Sequence, residues 1–403
     1  MKTTFKKVIS LLMVLCTVCT FVLTSCGGSS SGIIGQNEMI DQLGGVSETF
    51  EGAISEESYE SAEEAATAYV EEEIAGNSSA TVSEVKPIAT LSESQMKEVI
   101  PESMLEGVDS VEEYEVTYSV SDSDSFLAAD SEIQALDTLN KTKTVKVYVI
   151  KCGPDWKYYT PMPVTGETIS QSYYNSVFDY KKYENCTYKF EQTMDMDISA
   201  SGMGESANGT MQMTMTQLIK HADGKVYLEQ TMATTGTGMY AQEGVGDELS
   251  NMNIKAYMEE VDGVVSCYIK MGNSTEWVKG NLTTIGFGSI DELTPFYNQY
   301  LDYTYFTKTD YGFKLEKDSA RQYVSQTLEQ LGTMVQSLFG DDGLTILAEY
   351  FVSNGVLSGM RMDMDINISM AEGGVSMSMS GASTGVMTCT NYGTTVVEKP
   401  FTE

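Results

Sequence analysis

Histidine and basic side chains are scarce in this chain, and their scarcity narrows the classes of function. The 403 residues include one histidine, His221, and 24 Lys and Arg against 58 Asp and Glu, which gives a formal net charge of −34. An acidic surface without basic runs repels nucleic acid and anionic lipid headgroups, so we expect neither as a partner. One histidine and no glycine-rich phosphate-binding loop leave catalysis little support.

Cysteine is also sparse, with seven in the chain. Cys16 and Cys19 lie in an apolar N-terminal run, and Cys26 follows that run. The other four show neither the CxxC spacing of a metal site nor the density of a disulfide scaffold; they are Cys152, Cys186, Cys267 and Cys389. Three disulfide pairings are possible and none is indicated, so buried free thiols are the preferred interpretation.

The N-terminus has the pattern of a bacterial export signal. Lys2, Lys6 and Lys7 precede the apolar run "VISLLMVLCTVCTFVL", whose length suits a secretory signal better than a permanent membrane span. The run ends in "LTSC" at 23–26, which resembles a bacterial lipobox. That resemblance implies that residues 1–25 are removed and that Cys26 becomes the diacylglyceryl-modified first residue. An ordinary signal peptide with an incidental cysteine is the alternative.

The residues after Cys26 favour the lipoprotein interpretation. The stretch "GGSSSGIIG" at 27–35 is rich in Gly and Ser, which give a flexible connection between a bilayer and a folded body. We therefore expect residues 26–57 to be a lipidated tether. The protein is expected at the extracytoplasmic face of a bacterial membrane, with the lipid bilayer as its partner through acylated Cys26.

Residues 58–163 are predicted to form a small α+β domain. "SAEE" at 61–64 has the spacing of a helix capping box, and a second short helix is expected at 92–105. Strand patterns follow at 112–120, 143–152 and from 155 onward. This layout is similar to cystatin-like or nuclear-transport-factor-two-like domains, in which a helix lies across a curved sheet. Residues 164–184 are expected to be a linker.

Residues 185–403 are predicted to form a large curved antiparallel sheet, a half-barrel, covered by one or two helices, so the fold class expected for the chain is α+β. Asp-Gly, Asn-Gly and Gly-Gly pairs predict hairpin turns at 223–224, 262–263, 354–355 and 373–374. Helices are predicted at 289–302 and, from a capping box and an apolar stripe, at 319–338. Strands are predicted near 187–199, 210–220, 224–234, 253–261, 264–271, 276–279, 304–307, 312–316, 345–353, 356–370, 374–380 and 386–397.

Methionines recur at every second position of this domain. The five residues "MDMDI" occur at 194–198 and again at 362–366, and each copy is followed by a second alternation, "MQMTM" or "MSMSM". Because alternate side chains of a strand point to opposite faces, the methionines fall on one face and the aspartates on the other. Val and Ile are more common in strands than Met, so filling a core does not by itself explain why methionine is used at so many apolar positions.

Three interpretations of the methionine face are open. It is the core between sheet and helix, or it lines an apolar ligand cavity, because methionine is flexible and polarizable. The third is a copper(I) site, since thioether sulfur is a soft ligand, but adjacent strands would have to supply the converging sulfurs. No metal or cofactor is expected. The predicted cavity lining is Met194, Met196, Met211, Met213, Met215, Met360, Met362, Met364, Met377 and Met379.

A lipoprotein signal followed by methionine-rich hairpins resembles a known family. The strand "KVYLEQ", the hairpin "STEWVK" and the final "GVLSGMRMDMDINIS" make residues 184–400 similar to the LolA-like and LppX-like half-barrel lipoproteins. The resemblance is one of architecture and texture, because the family has no invariant binding motif to match. It implies a hydrophobic cavity that carries or senses lipids or lipoproteins. The N-terminal domain and the strong methionine bias depart from the family.

Three short matches to catalytic or calcium-binding motifs lack the residues that the chemistry needs. "GASTG" at 381–385 matches a nucleophile elbow, but no histidine follows Ser383 and its surroundings read as a hairpin. "SQMK" at 94–97 has Ser-x-x-Lys spacing without a later Lys-Thr-Gly. The Asp-x-Asp of "DMD" lacks a calcium-binding loop, so solvated charge explains it better.

The sequence thus predicts a lipid-anchored, non-enzymatic protein that binds a lipid-like ligand against its methionines. The alternative is a structural or sensing module of the cell envelope that has no ligand cavity and acts on a protein partner whose identity the sequence leaves open.

Overall fold

In this computed structural model, the structure describes residues 50–75, 79–121, 142–202, 205–238, 253–261, 264–281, 303–315, 343–372 and 375–401. The chain divides into two compact units. The N-terminal unit is Glu48–Val177 with Leu301–Asp310, and the C-terminal unit is Phe178–Tyr300 with Tyr311–Glu403. The predicted signal peptide and Cys26 lie outside the described residues. The domain boundaries expected from the sequence stay predictions.

A five-stranded antiparallel sheet organises the N-terminal unit, in the order β1-β5-β4-β3-β2. Helix α1 (Ala62–Tyr69) packs its alanines against one face, and helix α2 (Glu93–Val99) lies in the cluster on the other. Both faces are therefore apolar, as a sheet covered on two sides requires. The strands are β1 (Ala53–Ile54), β2 (Ser79–Thr90), β3 (Ser110–Ser121), β4 (Lys143–Cys152) and β5 (Asp155–Thr160).

The predicted cap of helix α1 forms in part. The Ser61 hydroxyl accepts a hydrogen bond from the Glu64 amide at 3.2 Å, as a capping residue does. The Glu64 carboxylate accepts from the Glu60 amide at 3.1 Å. After α1 the chain continues as a π-helix, Val70–Ile74, in which Glu73 is buried. Glu73 accepts hydrogen bonds from the amide and hydroxyl of Ser172, at 3.0 and 2.7 Å.

Strand β2 was not predicted from the sequence. Its residues "SATVSEVKPIAT" alternate weakly between apolar and polar side chains, and Pro87 argues against a central strand. In the structure β2 is an edge strand whose pairing to β3 shifts register at Val82/Glu84 and again at Pro87/Ala89. An edge position and an irregular register are what allow a proline there.

An eleven-stranded sheet follows, in the order β11-β10-β9-β8-β7-β6-β16-β15-β14-β13-β12. Consecutive strands are neighbours except β11 and β12, which lie at the two edges of the sheet, and β6 also pairs with β16. Short helices precede it at α3 (Gln171–Val177) and at Tyr180–Tyr183, within the predicted linker 164–184. The strands are β6 (Cys186–Gly202), β7 (Glu205–Ala222), β8 (Lys225–Gly236), β9 (Ile254–Val261), β10 (Val264–Met271), β11 (Val278–Gly280), β12 (Phe306–Thr309), β13 (Gly312–Leu315), β14 (Leu344–Ser353), β15 (Val356–Glu372) and β16 (Val375–Thr390).

Two of the predicted hairpin turns are confirmed by their backbone angles. Asp223 and Gly224 have φ of 52° and 69°, and Asn354 and Gly355 have φ of 54° and 70°. Two successive positive φ values are typical of a type I′ turn, whose twist matches that of the strands it joins. The turns predicted at 262–263 and 373–374 lie outside the described residues.

The fold class expected from the sequence is wrong. The described residues are mostly strand, in two large antiparallel sheets of five and eleven strands, instead of a small domain and one half-barrel covered by helices. The described α-helices are short, with eight, seven and seven residues. Strands dominate because β6, β7, β15 and β16 each run for 16 to 18 residues, and most of their described side chains alternate between buried and exposed positions. The helices predicted at 289–302 and 319–338 lie outside the described residues.

Strand β16 is continuous from Val375 to Thr390, whereas two strands, at 374–380 and 386–397, were predicted. Gly381 lies in mid-strand. A Cβ atom there would be 2.8 Å from the Asp195 carbonyl oxygen and 2.9 Å from the Met196 Cγ. Gly381 is therefore present because the neighbouring strand and its side chain leave no room for a larger residue.

We expect Gly381→Val to destabilise the protein by about 1–3 kcal/mol, because the new side chain must displace the β6 backbone or Met196. Denaturant unfolding monitored by circular dichroism measures the change. Ala382→Ser is the matched control, since Ala382 is exposed on the opposite face of the same strand and should change stability by less than about 0.5 kcal/mol. Equal stability of the two variants would contradict the steric explanation.

Candidate functional site

The methionines of β15 lie on one buried face of the eleven-stranded sheet. Met360, Met362 and Met364 are each at most 3% exposed, and Ile366 and Ile368 continue the same face. The residues between them, Arg361, Asp363 and Asp365, are half-buried or exposed. The alternation predicted for this strand is therefore present, and its apolar face is the buried one.

Strand β16 brings the two "MDMDI" copies together. β6 carries the first copy and β15 the second, and both pair antiparallel with β16, one on each side. Ser383 lies opposite Met194 on β6 and opposite Met364 on β15. Neighbouring strands are about 4.8 Å apart, so the two copies run about 10 Å from each other. They run in the same direction, offset by two residues.

The predicted lining residues share this face wherever their side chains are described. Those on β6, β7, β15 and β16 are at most 4% exposed: Met194, Met196, Met211, Met213, Met215, Met360, Met362, Met364 and Met379. The side chain of Met377 lies outside the description. Met232 on β8, opposite Met215, adds a further thioether that was not predicted. Ligand binding by these residues stays a prediction.

Small residues occupy the buried face of β16 between the methionine rows. Gly381, Ser383 and Gly385 succeed one another at alternate positions, opposite Met196, Met194 and Gln192 on β6. These three positions are a gap in the row of large side chains on β16, bounded by Met379 and Met387, and we call this gap the channel. In the structure Met196 leans over Gly381 and fills part of it.

The buried face also contains two glutamines that the sequence analysis did not single out. Gln192 on β6 and Gln217 on β7 are 1% and 3% exposed. The signal was available, because Gln192 falls between Phe190 and Met194 in the two-residue alternation and Gln217 follows Met215. The predicted lining contained only methionines and left out the two glutamines that interrupt their alternation.

The opposite face of the same strands, which we call the wet face, is exposed to solvent and acidic. Asp195, Asp197 and Asp365 are exposed and line an open groove of about 540 Å³ together with Gln212, Asn367 and Ser380. The Gln212 amide donates to the Asp195 carboxylate at 2.8 Å, and Arg361 lies 3.1 Å from Asp363. These contacts agree with the aspartates being the solvated face.

The side chains that could have served in catalysis are buried and make contacts within the fold. Ser383 is buried in the middle of β16, and its hydroxyl lies 2.9 Å from the Gln192 side-chain amide. The His221 ring is buried, with Nδ1 against the Glu184 carbonyl oxygen. Burial raises the pKa of the Cys389 thiol to about 12, with a smaller opposing contribution from its hydrogen bond to Tyr392, and burial also raises the pKa of Cys186. All four cysteines of the folded body are free.

Neither a cluster of metal-ligating side chains nor a helix of membrane-spanning length occurs in the described ranges. These residues contain no group of three or more His, Cys, Asp or Glu side chains placed to hold a metal ion. None of the helices described is both long and apolar enough to cross a bilayer.

Comparisons with known proteins give little. No protein-family model matches the sequence, and a search of curated proteins finds no match. A solved structure of a DUF1329 family protein from Desulfovibrio piger is similar in part, with 8% identity over 55% of this chain and 91% of that one. Its TM-score of 0.17 is too low to support any argument about fold or function.

The assignment of the two faces can be tested by stability. We expect Met364→Ala to cost about 2–5 kcal/mol, because it leaves a cavity in a buried face. The adjacent Asp365→Asn should change the unfolding free energy by less than about 0.5 kcal/mol, because that side chain is exposed. Denaturant titration of both variants gives the comparison. Similar losses for the two would mean that the faces are assigned wrongly.

Proposed function

We propose that this protein is a lipid-anchored protein of the bacterial cell envelope that binds an apolar, lipid-like ligand against its methionine face. The observation that carries the proposal is the pairing of β6, β16 and β15. This pairing sets two rows of methionines on either side of a strand that, between Met379 and Met387, presents only Gly381, Ser383 and Gly385 to the same face.

The chemistry of the face suits an apolar ligand of variable shape. Methionine side chains have three rotatable bonds and a polarizable sulfur, so they adapt to different surfaces at small cost. Small residues between them let a chain-like molecule approach the backbone. Displacing Met196 from above Gly381 would open the channel without moving a strand. The likeness of residues 184–400 to LolA-like and LppX-like lipoproteins supports the same class of function.

The membrane anchor supplies the context. A lipobox-like "LTSC" followed by a Gly- and Ser-rich tether would hold the folded body close to a bilayer, where lipids are abundant. The high negative charge opposes adsorption to anionic headgroups, so the acyl groups on Cys26 would provide the attachment. No catalytic step is assigned to the protein.

A second candidate function is a module that contacts a protein partner. It is favoured by exposed apolar side chains at the β9–β11 side of the sheet, where Val261 and Val264 pair across a hairpin and are 58% and 66% exposed. Val278 on the three-residue strand β11 is exposed as well. This function requires no ligand on the methionine face.

We expect the mature protein to carry lipid on Cys26. Metabolic labelling with an alkyne fatty acid, followed by intact-mass measurement, should show an acylated N-terminal cysteine in the wild type and no label in Cys26→Ser. Cys19→Ser, within the signal sequence, is the control and should keep the label. Labelled Cys26→Ser protein would refute the assignment.

Ligand binding predicts a lipid-sized adduct in native mass spectra of the protein purified from its host. Met364→Gln, which keeps the length of the side chain and adds a polar amide, should weaken the adduct while the far-ultraviolet circular dichroism spectrum is retained, because a polar group disfavours an apolar ligand. Asp365→Asn, one residue away on the exposed face, should retain the adduct. Absence of any adduct in the wild type, together with a loss of stability in Met364→Gln, would identify the methionines as ordinary core.

A further inference from the structure

Two amides are buried in the methionine face without full hydrogen bonding. The Gln192 Nε2 donates to the Ser383 hydroxyl at 2.9 Å, and the Gln217 Nε2 donates to the side-chain Oε1 of Gln230 at 3.4 Å. In the part of the chain that the structure describes, the Oε1 atoms of Gln192 and Gln217 have no hydrogen-bond partner. A buried amide oxygen that has lost water without gaining a partner destabilises the fold.

Packing alone does not explain why glutamine, with the free-energy cost of an unpaired oxygen, occupies these two positions. Methionine has nearly the same length as glutamine and occupies the adjacent positions Met194 and Met215 on the same two strands. A methionine at 192 or 217 would fill the same volume and leave no polar atom unpaired. Gln192 also lies opposite Gly385 of β16, which contributes no side chain above it. The amide therefore borders the channel between the methionine rows.

The chemistry around the amides defines the group that would satisfy them. A hydroxyl or primary amide both donates and accepts, so it can pair with a glutamine side chain in either orientation of its terminal oxygen and nitrogen. On the described strands β6, β7, β8, β15 and β16, no Lys or Arg points to the buried face. A negatively charged head would be buried there without a counter-charge.

We propose that Gln192 and Gln217 are a polar anchor that selects an uncharged amphiphile, with its hydroxyl or amide head against the two glutamines and its apolar chain along β16. Ser383 holds the Gln192 amide in place as a positioning residue. The chain would pass over Ser383 and Gly381 between Met194 and Met364. This inference rests on the proposed function and adds the chemical class of the ligand.

A competition between matched probes tests the proposal. The full-length protein, held in amphipol without free detergent, is incubated with equal amounts of oleyl alcohol, (Z)-9-octadecene and oleate, and the adducts are quantified by native mass spectrometry. The first two probes have the same chain with the same cis double bond and differ in the hydroxyl head, while oleate replaces that head with a charge. The wild type should take up oleyl alcohol at least fivefold in preference to the octadecene and to oleate.

Isosteric variants locate the source of the preference. Gln192→Met and Gln217→Met should each lower the oleyl alcohol to octadecene ratio by at least threefold, and together they should bring it close to one. Octadecene adducts should persist in both variants, which shows that the apolar channel is intact. Gln212→Met on the exposed face is the matched control and should keep the wild-type ratio.

The outcomes separate this inference from the proposed function. Equal uptake of oleyl alcohol and octadecene by the wild type, or an unchanged ratio in the double variant, overturns the polar anchor and leaves apolar binding standing. Predominant uptake of oleate overturns the uncharged head. Absence of every adduct overturns ligand binding itself and the anchor with it. Loss of octadecene adducts in the glutamine variants would show that these amides support the fold, which also contradicts the proposal.

Discussion

The C-terminal unit depends on a side-chain period of two that is kept in register across β6, β16 and β15. Met194, Ser383 and Met364 are level with one another, and so are Asp195, Ala382 and Asp365 on the other face. A slip of one residue in either pairing would move a row of methionines into water and a row of aspartates into the interior. The apolar face and the wet face therefore stabilise the same alignment, and every feature of the candidate site inherits its position from it.

Local features of the fold could be predicted because they depend on neighbouring residues. The faces of β15 and the turns at Asn354 and Asp223 follow from alternation and from residues that tolerate positive φ. Strand β2 was missed because its alternation is weak, and the continuity of β16 through Gly381 depends on a close contact with β6 that the sequence does not show. The fold class was wrong because the number of strands in each sheet follows from pairings between distant residues.

Only part of the candidate site could be predicted. The face on which each side chain lies depends on its neighbours in sequence, whereas the arrangement of the strands depends on distant residues. Alternation placed the methionines on one face, whereas the meeting of the two "MDMDI" copies depends on a pairing between residues 191 positions apart, as for Gln192 and Ser383. No pattern in the sequence specifies that β16 inserts between β6 and β15. For the two glutamines, the alternation in the sequence shows that they lie on the apolar face. Only the structure shows that their side-chain oxygens lack hydrogen-bond partners among the described residues.

The pairing of β6 with β16 has a consequence for biogenesis. The first long strand of the C-terminal unit must wait for the last one, because its partner begins at Val375, close to the end of the chain. Until β16 has been synthesised, β6 has an open edge on that side and a row of unshielded methionines, both of which invite association with other chains. Contacts of such high sequence separation also slow folding. The interval before β6 pairs with β16 is therefore the one in which this unit is most prone to aggregate.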